Sequence, residues 1–188
     1  MKKKVLAIVL LISTSIAFGQ SKYLTKNGKI YFNATSANSP EVVDATNDKT
    51  MSVIDASTGA IEFALLMKAF IFERALMQEH FNENYVESDK FPKASFKGTI
   101  TNMSSIDLTK DGTYPANVKG QMILHGETKE VTSTGTITVK GGAITAAKSE
   151  FSLVLADYKI DVPSVVKDKV SKEAKITVDL SFQPMVAK

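Results

Sequence analysis

The stretch KEVTSTGTITVKGG, beginning at Lys129, alternates with a period of two residues. Thr132, Thr134, Thr136 and Thr138 fall on one side of an extended chain, and Val131, Ile137 and Val139 on the other. Successive side chains of a strand point to opposite faces, so this pattern marks a strand with one wet and one dry face. The same period recurs along most of the chain. Ile30, Phe32 and Ala34 share a phase in GKIYFNAT, and Ile61, Phe63, Leu65 and Met67 share one after a turn at Ser57-Thr58-Gly59. Further sets are Phe96, Gly98 and Ile100; Val118, Gly120, Met122 and Leu124; Phe151, Leu153 and Leu155; and Ile176, Val178, Leu180 and Phe182. About eight half-buried strands result, and alternation favours antiparallel pairing over the continuous apolar runs of a parallel sheet. A sheet of this size closes or folds on itself to remove its edges. An up-and-down barrel and a two-sheet sandwich both satisfy the pattern.

The N-terminus follows a different logic. MKKKVLAIVLLISTSIAFGQ has three lysines, an apolar run from Val5 to Ile12 and a small-x-small ending at Ala17 and Gly19. That is the layout of a secretory signal peptide, and the run is short for a membrane span. Cleavage is expected after Gly19, leaving residues 20–188 as one exported domain, periplasmic or secreted. Of 188 residues, 23 are basic and 20 acidic. Loss of Lys2, Lys3 and Lys4 with the leader leaves 20 of each, so charge gives no support for nucleic-acid binding. The chain has no cysteine, which excludes both a lipid-anchored lipoprotein and disulfides.

One helix interrupts the strands, predicted over residues 73–84. Leu76, Met77, His80 and Phe81 share a face by i, i+3 and i+4 spacing, with Glu79 and Glu83 opposite. Pro92 ends the segment, and a short helical turn is predicted near residues 165–170, after Pro163.

The inward phase of the middle strands carries Gly98, Gly120, Ser133 and Gly135. Small residues there are expected to leave room for a ligand, since an eight-stranded barrel is just wide enough to hold one; strain relief at barrel corners is the competing explanation. The expected cavity is apolar, lined by Phe32, Phe63, Leu65, Met67, Met122, Leu124, Ile137, Phe151, Leu153 and Val178, with Met77 and Phe81 contributed by the helix as a cap. Methionine suits a flexible apolar ligand because its thioether adapts in shape.

Signals for catalysis are sparse. His80 and His125 are the two histidines, which leaves a zinc site without support. On the helical reading His80 turns inward as a packed, partly buried side chain, while His125 sits in the hairpin loop of LHGETKE. No GxSxG, P-loop, GxGxxG or HExxH motif occurs. No catalytic residue, metal or cofactor is expected.

Three segments together resemble the YceI-like family of exported bacterial proteins. They are FERALMQEHFNENYVESDKFPKASFKGTI from Phe72 to Ile100, GQMILHGETKEV from Gly120 to Val131, and DYKIDVPSVVKDKVSKEAKITVDLSF from Asp157 to Phe182. The matching elements are Arg74, His80, Phe81, Tyr85, Phe91-Pro92 and Phe96, then Leu124, Gly126, Thr128, Lys129 and Val131. LMQEHFNENYVESDKFP, with its asparagine-rich tip, departs from the commoner pattern at the helix. The resemblance implies an all-β, antiparallel, eight-stranded lipocalin-like barrel whose apolar tunnel holds a polyisoprenoid or other long-chain amphiphilic lipid. A quinone-like ligand falls in the same class. The sequence leaves open a homodimer, a structural or stress-related envelope role with an incidental cavity, and a lipid-acting hydrolase or isomerase using His80.

Overall fold

Eight long strands form where the alternation places them: β1 (Lys22–Thr35), β2 (Asp44–Asp55), β3 (Ala60–Leu66), β4 (Lys93–Ile100), β5 (Gly112–Leu124), β6 (Glu127–Lys140), β7 (Ala143–Val154) and β8 (Val170–Ser181). The computed structural model describes residues 21–185, so the expected leader and its cleavage point lie outside the described residues. Each strand pairs antiparallel with the next, and β1 pairs with both β2 and β8, which closes the barrel. A two-residue β9 (Gln183–Pro184) adds to the start of β1. The barrel therefore prevails over the sandwich.

β1 and β2 run beyond the stretches that alternate visibly in sequence. Buried positions in β1 are Tyr23 and Thr25, then Gly28, Ile30, Phe32 and Ala34, so the phase slips between Thr25 and Gly28. β2 slips opposite, from Ala45 and Asn47 to Thr50, Ser52 and Ile54. The pairing shows the matching irregularities, passing from Thr25↔Ser52 through Gly28↔Thr50 to Ile30↔Asn47. Such a slip bends both strands and re-aims their side chains inward, as a closed barrel requires.

The interior divides along the barrel axis. Ile54, Ile100, Ile137, Ile144 and Leu180 are at most 2% exposed and fill one end. Each such side chain removed from water contributes about 1.5–3 kcal/mol. At the other end the strand termini carry Ala34, Leu65, Ala94, Leu124, Leu153 and Ala174, beneath the excursion between β3 and β4.

That excursion contains α1 (Ala75–His80) followed by a wide π turn at Phe81–Tyr85, a correction to the single helix expected over 73–84. Its signature is the bond donated by the Val86 amide to the Phe81 carbonyl, five residues back. The widened turn sets the inward stripe at Met77, Phe81 and Tyr85, spaced four residues apart, which are half-buried and packed against the core. Leu76 and His80 are rotated outward and exposed, so the expectation that both face inward is also corrected. The turn after Pro163 is a short 3-10 segment at Ser164–Val166, and Val170 already belongs to β8.

The glycine reading changes as well. Gly98 and Gly120 face each other across β4 and β5. A Cβ on Gly98 would lie 2.6 Å from the Lys119 carbonyl oxygen and 2.6 Å from Phe96 Cζ, and one on Gly120 would collide with Gly98 Cα and the Lys97 carbonyl. These glycines allow close strand approach under the Phe96 ring and open no room for a ligand. Ser133 and Gly135 border a separate void of about 60 Å³.

Candidate functional site

The strand ends and the lid enclose a cavity of about 440 Å³. This lies within the roughly 300–1,000 Å³ typical of small-molecule sites. Its wall comes from alternate residues of the strands, which is why the period-2 reading finds much of it. Phe32, Phe63, Leu65, Met67, Met77, Phe81, Met122, Leu124, Phe151 and Leu153 all line it. Ile137 and Val178 border the smaller void instead, on the filled side of the barrel.

Several lining residues escape the sequence reading: Val43, Phe70, Phe72, Tyr85, Ile160, Val166 and Val170. A signal for two of them exists in AFIFE, where Phe70 and Phe72 alternate with Ile71. Ile71 bridges Thr46 of β2 and is exposed, while both phenylalanines are buried.

Those phenylalanines build the lid's seat. Phe81 stacks on Phe32 with ring centroids 5.4 Å apart, and lies 5.7 Å from Phe70 and 5.0 Å from Phe72. Phe32 meets Phe70 and Phe72 edge-on at 5.4 and 5.7 Å. Aromatic pairs in such arrangements contribute about 0.5–1.5 kcal/mol each beyond their area. Polar bonds tie the same segment from outside. The Phe72 amide donates to Gln78 Oε1 at 3.2 Å, and Asn82 Nδ2 donates to the Gln78 carbonyl at 2.8 Å.

Charge enters the lining at one place. Arg74 precedes α1, Glu41 lies between β1 and β2, and Lys169 immediately precedes β8; all three border the cavity. Arg74 Nη1 donates to Glu41 Oε1 at 2.7 Å, and Lys169 Nζ donates to Glu41 Oε2 at 3.0 Å. The bond from Lys169, then that from Arg74, holds the Glu41 carboxyl below its ordinary value of 4.5. A carboxyl depressed in the folded state contributes stability that is full above its unfolded pKa and is lost as pH falls through the folded value. The stability difference between wild type and Glu41→Gln should therefore stay constant above about pH 4.5 and shrink below it. Urea midpoints measured for both proteins across that range check this.

The two histidines exchange the environments expected of them. His80 is exposed on the cavity rim. His125 occupies a tight β5–β6 turn with φ of 50°, and its side chain is 8% exposed. Its Nδ1 is 2.8 Å from the Tyr158 carbonyl, its Nε2 is 3.2 Å from Glu87 Oε2, and its ring meets Phe91 edge-on at 4.6 Å. Both polar partners are acceptors, and the ring donates to either through whichever nitrogen carries the hydrogen. His125 joins the lid's exit to the β5–β6 and β7–β8 ends of the barrel. His125→Ala should cost about 1.5–3 kcal/mol, the range for hydrogen bonds to charged groups, read as a lowered denaturant midpoint. Lys90 first and His125 second hold the Glu87 carboxyl below its ordinary range.

Among the described residues no cluster of three or more His, Cys, Asp or Glu side chains could hold a metal. No described helix is long and apolar enough to cross a membrane. The YceI-like domain model matches residues 16–182. Solved structures with a similar fold include a polyisoprenoid-binding domain from Saccharophagus degradans implicated in plant cell wall breakdown. It is 10% identical with a TM-score of 0.72, over 88% of this chain and 99% of that one. Burkholderia cenocepacia BcnA is 13% identical with a TM-score of 0.64, over 83% and 96% of the two chains. The Campylobacter jejuni YCEI protein is 13% identical with a TM-score of 0.52, over 74% and 84%. A search of curated proteins finds no match.

Proposed function

This chain belongs to the YceI-like family, and we propose that it is an exported carrier holding one long-chain amphiphilic lipid, such as a polyisoprenoid or quinone-like molecule, in the barrel cavity. The observation that carries the reading is the 440 Å³ space walled by aliphatic and aromatic side chains beneath a lid whose Phe81 is seated on three phenylalanine rings. An apolar occupant of a space this size gains dispersion contacts with its walls. Each ligand methylene buried contributes about 0.8 kcal/mol, so a dozen give useful affinity after the costs of association and ordering are met. The polyisoprenoid binding named for the Saccharophagus degradans domain agrees with this class of ligand. Ten of the twelve residues expected to bind ligand supply the wall, with Phe70, Phe72 and Tyr85 added from the lid and its approach. Export rests on the leader-like residues 1–19, which would be removed before the barrel folds.

A hydrolase or isomerase built on His80 lacks an oriented acid–base pair, because the histidine–carboxylate contact among the described residues belongs to His125. An incidental cavity predicts indifference to lipids. Titration of the protein with farnesol and with a short-chain quinone, followed by thermal unfolding, separates these readings. Ligand at a hundredfold excess over Kd adds about 2.7 kcal/mol, or about 5–10 °C in Tm for a domain of this size. An unchanged Tm across prenols, quinones and fatty acids would leave the carrier reading without support.

A further inference from the structure

The cavity is apolar along its walls and charged at its rim, and the rim charges do not cancel. Glu41 is bonded through one oxygen to Arg74 and through the other to Lys169, so two cations share a single carboxylate. These three are the Asp, Glu, Lys and Arg side chains of the cavity lining among the described residues, and His80 borders it as well. A guanidinium carries five N–H donors and an ammonium three. The contact with Glu41 uses one from each, and the Arg74 and Lys169 side chains remain 63% and 49% exposed. Free donors and a net positive charge therefore stand where an apolar chain would leave the cavity.

We propose that this rim makes the site selective for single-chain amphiphiles with one anionic headgroup, a carboxylate or a phosphate monoester, bound by Arg74 and Lys169 while the chain lies in the cavity. The proposal rests on the carrier reading and adds the chemistry of the headgroup. Arg74 and Lys169 come from separate elements, one at the start of the lid and one just before β8, and meet at Glu41. An anion between them would either share them with Glu41 or displace its carboxylate, exchanging one charge-assisted contact for another. Because both cations are solvated, the selectivity is moderate and sensitive to salt. The chain supplies affinity and the headgroup supplies orientation.

The test is displacement of a fluorescent apolar probe from the full protein by four ligands of one chain length: palmitic acid, palmityl phosphate, cetyl alcohol and cetylamine. At low salt the acid and the phosphate should bind about five- to tenfold more tightly than the alcohol, with the amine weakest. Added sodium chloride should compress that difference. In the Arg74→Gln/Lys169→Gln double variant the ratio of acid to alcohol affinity should fall to about one, and Lys169→Arg should retain the preference. Glu41→Gln, which frees both cations, should tighten the acid severalfold. Acetate and inorganic phosphate should leave the probe in place; displacement by inorganic phosphate at matched concentration would overturn the amphiphile in favour of a free-anion site. Equal binding of acid and alcohol by wild type, or a preference surviving in the double variant, would overturn the headgroup assignment while leaving the carrier reading intact. Failure of all four ligands to displace the probe would overturn both.

Discussion

Ala174→Trp should weaken lipid binding by two to three orders of magnitude while the protein stays folded. Ala174 lies near the start of β8, is 5% exposed, pairs with Leu153 and borders the cavity. A strand residue facing inward directs a larger side chain into the space that its Cβ already faces, and tryptophan is well tolerated in strands. The indole would occupy volume otherwise filled by about four to five ligand methylenes, at about 0.8 kcal/mol each. That loss of about 3–4 kcal/mol is a factor of several hundred in Kd. Overpacking a full core costs about 1–3 kcal/mol, but the 440 Å³ space beside Ala174 accommodates the ring with less strain. Probe displacement and thermal unfolding on the same sample check both halves. Unchanged affinity would place the ligand elsewhere on the protein.

Gly120→Ala should behave in the opposite way, losing stability and leaving the cavity untouched. The added methyl would meet Gly98 Cα and the Lys97 carbonyl, both backbone of the neighbouring strand, so no side-chain rotation relieves it. Separating β4 from β5 disturbs the register that runs from Ser95↔Ile123 to Ile100↔Val118. The expected cost is about 3 kcal/mol, the upper part of the range for overpacking. A lowered urea midpoint with unchanged lipid affinity is the predicted result. Preserved stability with weakened binding would instead restore the view that these glycines make room for ligand.

The two variants also mark what the sequence discloses. Strands whose dry face is apolar, such as β3, β5 and β8, announce themselves because burial and hydrophobicity coincide residue by residue. β2 is less plain. Its buried residues include Asn47, Thr50 and Ser52, each at most 2% exposed. Asn47 and Ser52 bond the carbonyls of Leu66 and Glu62, so the period is present but written in polar side chains. The slip at Thr25 to Gly28 hides the start of β1 in the same manner, because the inward phase changes partway along the strand.

For the cavity, alternation predicts which way a side chain points but not how far along the barrel it sits. Ile137 and Val178 face inward as expected, yet at the filled end. On the lid, periodicity groups His80 with Met77 and Phe81, whereas the half-buried stripe is Met77, Phe81 and Tyr85 and His80 is exposed. The rim of Glu41, Arg74 and Lys169 joins residues far apart in sequence, and no local pattern links them. The segment around His80 is accordingly a lid whose dry stripe is Met77, Phe81 and Tyr85. Its acids Glu79 and Glu83 face water, as the sequence suggests.

If the space beneath this lid is a lipid site, native mass spectrometry of the protein purified from its own host should detect the bound lipid. A population heavier than the polypeptide by the mass of one long-chain amphiphile is expected, lost on extraction with organic solvent and absent from Ala174→Trp. A polypeptide mass alone in wild type, with no uptake of added prenol, quinone or fatty acid, would contradict it.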